Sequence, residues 1–96
     1  MMRYLIVDGM MSGTGIRDEV EGGYLSPESL GLSGQLVQRI SRWLRAYEDA
    51  HYEQYSDKSN VAELDAEGQQ IQAQMQEELP DAKVRYYSDA EARVLE

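Results

Sequence analysis

The sequence contains no cysteine. Disulfide cross-links, a thiolate nucleophile and a cysteine-ligated metal are therefore excluded, and the fold must rest on packing alone. There is one histidine, His51. Glu48-x-x-His51 has the spacing by which a helix presents a carboxylate and an imidazole to a metal, but di-metal bundles need that motif twice, so no metal is expected. His51 reads instead as part of an aromatic cluster with Tyr47, Tyr52 and Tyr55. Phenylalanine is absent, and no run of 18 apolar residues exists to span a bilayer, so no membrane contact is expected. The amino-terminal run YLIVD is shorter than a signal-peptide core and lacks a small-residue cleavage site, which leads us to expect a cytoplasmic protein. The lysine and hydroxyl of a P-loop are also missing.

What is present suits a small globular domain. The 96 residues are 42% hydrophobic and include seven tyrosines and one tryptophan. A chain of this length buries only about 60–65% of the surface it exposes when unfolded, so we expect a single domain over residues 1–96 with a thin core.

Charge is distributed unevenly. Residues 1–47 hold five acids and five bases, whereas residues 48–96 hold thirteen acids and four bases, which places the whole net charge of −9 in the second half. Phosphate neutralisation drives most nucleic-acid affinity, so direct binding to DNA or RNA is not expected; a basic protein is the better-matched partner.

Patterning predicts the order β-α-α-β-α. Residues 3–7, RYLIV, read as a strand covered on both faces. Residues 9–34 form a long glycine-rich loop region, with short helical turns expected at Ile16–Val20 and after Ser26, where Pro27 suits a first helical position. Ser33 caps a helix from about Gly34 to about Tyr52, in which Leu36, Val37, Ile40, Trp43, Leu44 and Tyr47 recur at helical spacing. Asn60, with Glu63 three residues on, is expected to cap a second helix whose buried stripe is Leu64, Gly68, Ile71, Met75 and Leu79, ended by Pro80. The glutamine-rich QQIQAQMQ keeps the helical period. AKVRYY alternates as a strand, and SDAEARVL is expected to be a short helix capped by Ser88. Two strands make a poor sheet, so a short third strand is anticipated, from the glycine-rich region or from a partner's edge. The fold class is α+β, an antiparallel helical pair packed on a small sheet.

Among candidate sites, Gly13-Thr14-Gly15-Ile16-Arg17-Asp18 meets the first two positions of a dinucleotide fingerprint but puts Asp18 where the third glycine belongs. Arg45 is expected to pair with Asp49 one turn later. No carboxylate pair stands in a recognisable acid/base setting, and no catalytic residue or cofactor is assigned. The acidic second half remains. Between positions 53 and 81, eight acids face only Lys58, and Glu63, Glu67, Gln70, Gln74 and Glu77 fall on one flank of the second helix. With Glu53 and Asp57, and with Tyr52 and Tyr55 as aromatic anchors, these residues form the candidate partner-binding surface.

The segments MSGTGIRDEVEGGYL, ISRWLRAYEDAHYEQYSDK and ELPDAKVRYYSDA together resemble a family of small bacterial immunity proteins of polymorphic toxin systems, including contact-dependent growth inhibition. The resemblance spans most of the chain. It implies a non-enzymatic protein that binds and neutralises a cognate toxin, commonly a basic nuclease. Immunity proteins share no common fold, so the resemblance carries over no architecture and no catalytic residue. The runner-up reading is a small ligand- or nucleotide-binding enzyme using the glycine-rich 9–18 loop.

Overall fold

The computed structural model describes residues 2–95. The chain runs through β1 (Arg3–Val7), β2 (Ile16–Asp18), a 3-10 turn (Glu28–Leu30), α1 (Gly34–Tyr52), α2 (Lys58–Glu78), β3 (Ala82–Ser88) and β4 (Arg93–Leu95). The strands form one sheet in the order β2-β1-β3-β4, with β1 and β3 parallel at its centre and an antiparallel strand on each edge. Parallel neighbours need a long crossover. The helical hairpin α1-α2 supplies it, and the fold is α+β as its sequence pattern indicates.

Register fixes which side the helices cover. Leu5 pairs with Val84 and Val7 with Tyr86, so these four side chains share a face, and all four are buried. Ala82, Val84, Tyr86 and Ser88 alternate buried along β3 with the more exposed Lys83, Arg85 and Tyr87, the period of a strand with one covered face. Against that face α1 buries Leu36, Ile40, Trp43, Tyr47 and Ala50, and α2 buries Leu64, Gly68, Ile71 and Met75. Trp43 lies at the centre of this core, edge-on to Tyr47 at 5.4 Å and to Tyr86 at 6.0 Å. Its indole N–H donates to the Leu64 carbonyl at 2.8 Å, so the ring is buried without leaving its polar atom unpaired.

Ser33 caps α1 by accepting from the Leu36 amide. The second helix starts earlier than its capping box suggests: Asp57, not Asn60, is the cap, and its carboxylate accepts from the Asn60 amide at 3.0 Å. Two segments expected to be helical are strands. Ile16–Asp18 pairs with Leu5–Val7, since the left-handed backbone of Gly15 turns the chain back along β1. Of the two sources open for a third strand, it is thus the glycine-rich region that supplies one. At the other end, Ser88 does cap a turn, its hydroxyl accepting from the Glu91 amide at 3.1 Å. Ala92 then adopts a left-handed conformation, and Arg93–Leu95 returns to pair with Tyr86–Ser88 instead of continuing a helix.

Candidate functional site

The junction of α1 and α2 gathers four of the nine candidate residues. Gln54 and Tyr55 both have positive φ, at 59° and 54°, a costly conformation for a bulky side chain. Tyr55 is held there from several sides. Its ring meets Tyr47 and His51 edge-on at 6.0 and 5.7 Å, and its hydroxyl donates to Asp89 at 3.4 Å. Burial, with Asp89 adding to it, pushes the Tyr55 phenol up to about 12. His51 joins the aromatic cluster as its sequence context indicates, its Nδ1 lying 3.3 Å from the Tyr55 hydroxyl. Tyr52 points outward with 70% of its surface exposed. Glu53 beside it is exposed as well, while Asp57 is occupied in capping α2.

The flank of α2 divides differently. Arg39 reaches across from α1 and grips Glu67 with two bonds, Nε to Oε2 at 2.7 Å and Nη2 to Oε1 at 2.9 Å. It also donates to Gln70 at 2.8 Å and to Gln74 at 3.1 Å. The hydrogen bonds from Arg39 hold the Glu67 carboxyl below its ordinary value. Glu67, Gln70 and Gln74 are thus brought together by a residue of the first helix. The expected Arg45–Asp49 pair is not among the ion pairs of the described residues, where Arg39 bonds across helices instead. Glu63 and Glu77 are exposed, and like Glu53 they make no ion pair or side-chain hydrogen bond among the described residues.

Two buried carboxylates were not distinguished by sequence. Asp65, counted above among the acids of the second half, lies inside. It accepts from Tyr47 at 2.9 Å and Tyr86 at 2.6 Å on Oδ1, and from Ser88 at 2.7 Å on Oδ2. Asp8, at the end of β1, accepts from the Tyr24 hydroxyl at 3.2 Å and the Met10 amide at 3.3 Å, with Arg17 Nε 3.3 Å away. Burial raises its pKa above the ordinary carboxylate value despite these partners. The only hint in the sequence is that Asp65 directly follows Leu64 on the apolar stripe. Both acids serve donors already in place, which makes them structural polar centres.

The glycine-rich loop is explained by packing. A Cβ on Gly9 would meet the Tyr47 ring, one on Gly13 the Tyr24 ring and one on Gly15 the Ile40 side chain, each within 3.0 Å. The loop leads into an antiparallel strand and not directly into a helix N-terminus, the arrangement by which a glycine-rich loop cradles phosphate. Among the described residues no cluster of His, Asp and Glu is placed to hold a metal, and no helix is long and apolar enough to cross a membrane.

The model of the Serratia CdiI immunity protein-like family matches residues 6–89, and the chain belongs to that family. No curated protein and no solved structure matches it.

Proposed function

We propose that this immunity protein neutralises a cognate protein toxin by binding it through the acidic, tyrosine-bearing surface formed by the helical junction and the outer flank of α2. The observation that carries this reading is the exposure of an aromatic ring, Tyr52, and of three carboxylates that make no ion pair or side-chain hydrogen bond among the described residues, Glu53 beside it and Glu63 and Glu77 along α2. A large amphipathic ring gives contact area at low entropic cost, and unpaired carboxylates attract and orient a basic partner. A nuclease surface is basic where it holds phosphates, so carboxylates presented in their place would occlude it. The protein then acts as a stoichiometric inhibitor in the cytoplasm, where such a toxin meets nucleic acid, and no cofactor or direct nucleic-acid contact enters the account.

The test is co-expression with the toxin encoded beside its gene. Cells producing both should survive and yield a one-to-one complex, and the purified chain should abolish nuclease activity at equimolar ratio. A toxin that is not captured, or one inhibited only catalytically at far below equimolar ratio, overturns the reading.

A further inference from the structure

We propose that the uncovered face of the sheet is a self-association surface that seats a second copy of this chain. Leu5, Val7, Val84 and Tyr86 point at the helices, so Tyr4, Ile6, Lys83, Arg85 and Tyr87 project from the other side, where no helix of the described residues lies. Half of that face is sealed from within. Ile6 is buried because Arg17 and Arg85 stand on either side of it in the register, their charged ends tied to Asp8 at 3.3 Å and Glu19 at 2.6 Å. Arg17 also lies over the Tyr87 ring at 5.8 Å.

The other half is open. Of the exposed large apolar residues, Met2 (54%), Tyr4 (41%) and Val20 (73%) gather here. Tyr4 and Val20 line two shallow hollows, one shared with Lys83 and Arg85, the other with Met2 and Glu21. Val20 is therefore a knob with a hollow on either side, a shape that fits its own copy.

Charge selects the occupant. Arg3, Lys83 and Arg85 balance Asp18, Glu19 and Glu21 around the patch, three against three, while the chain as a whole carries −9. Repulsion between two such acidic chains is weakest where this near-neutral face meets itself, with the acidic helical surface turned outward. The arrangement is also antisymmetric about Tyr4. Lys83 stands opposite it on β3, and Glu21 follows the end of β2 on the other side. Neither makes an ion pair among the described residues. A two-fold axis near Tyr4 carries Lys83 of one copy onto Glu21 of the other and the reverse, as an isologous interface requires. Two sheets then stack about 10 Å apart. A basic toxin has no comparable match to this face, and the acidic surface stays free.

The test is sedimentation of the full chain over a wide range of concentration. The mass should rise from one chain to two, and Val20→Asp should hold it at one chain without lowering the melting temperature, since Val20 lies outside the core. Lys83→Glu and Glu21→Lys should each weaken pairing roughly tenfold, because each places two like-charged contacts in the symmetric dimer. An equimolar mixture of the two should pair again, every contact then joining opposite charges. A wild-type chain that stays single throughout, pairing that Val20→Asp leaves untouched, or a mixture that fails to recover would each overturn the proposal.

Discussion

Gly68 lies so close to Tyr86 that a Cβ built on it would come within 3.0 Å of two ring carbons and the hydroxyl. Helix propensity favours alanine over glycine by about 1 kcal/mol. Steric exclusion opposes it, because Tyr86 cannot swing away while its hydroxyl is bonded to Asp65 at 2.6 Å. Overpacking of this kind costs about 1–3 kcal/mol, with α2 pushed off β3. Gly68→Ala should therefore lower the denaturant midpoint in spite of the better helix former, and a higher midpoint would show that the contact yields.

Asp65 ties three elements together, so its loss should be felt far from α2. Asp65→Ala leaves the hydroxyls of Tyr47, Tyr86 and Ser88 without their acceptor. At about 1–3 kcal/mol for each buried group left unpaired, the cost should reach about 3 kcal/mol or more. The Tyr47 and Ser88 oxygens in turn accept from the Ala90 and Glu91 amides, at 3.0 and 3.1 Å. Hydrogen exchange at those two amides should accelerate together. Asp65→Asn should lose less, since the amide oxygen can still accept from both tyrosines while its NH2 group donates to Ser88.

Acid should affect Asp8 in an unusual direction. Burial raises its folded pKa above the ordinary 3.8, so the folded state binds a proton more tightly than the unfolded chain does. Its contribution to stability is fully present below 3.8 and is lost as pH rises through the raised value. Relative to Asp8→Asn, whose side chain does not titrate, the wild type should gain stability as pH falls from above that value toward 3.8. Chemical denaturation of both proteins across that range checks the sign. Parallel curves, or a wild type that loses ground on acidification, would contradict the burial argument.

The parts of this fold that could be read from sequence are those set by local pattern. Ser33 and the spacing of Leu36, Ile40, Trp43 and Tyr47 locate α1 without knowledge of its neighbours, and the alternation of Val84 and Tyr86 does the same for β3. Ile16–Asp18 and Arg93–Leu95 are too short to carry a period and become strands only because β1 and β3 offer them edges. Asp57 and Asn60 are both competent caps, and the path of the chain out of the Tyr55 turn selects the earlier one. The acidic surface is a subtler case. Summing charge along the chain isolates the second half, but the antiparallel hairpin lays Arg39 over Glu67, Gln70 and Gln74. Asp65 reads as one more surface acid because its donors come from α1 and β3. Tyr52, Glu53, Glu63 and Glu77 are left as the outward-facing part of the surface.

Those residues define the most direct measurement: association and dissociation rates of the chain with its cognate toxin, for wild type, for the triple variant Glu53→Lys, Glu63→Lys, Glu77→Lys, and for Tyr52→Ala. None of these side chains lies in the core, so folding should be unchanged. The wild-type on-rate should fall steeply with added salt as the Debye length shrinks below about 10 Å. The triple variant should associate at least roughly tenfold more slowly with little change in off-rate, whereas Tyr52→Ala should dissociate faster at nearly the same on-rate. If the triple variant and Tyr52→Ala both bind with wild-type rates and protect cells equally well, the acidic surface is not where the toxin is held.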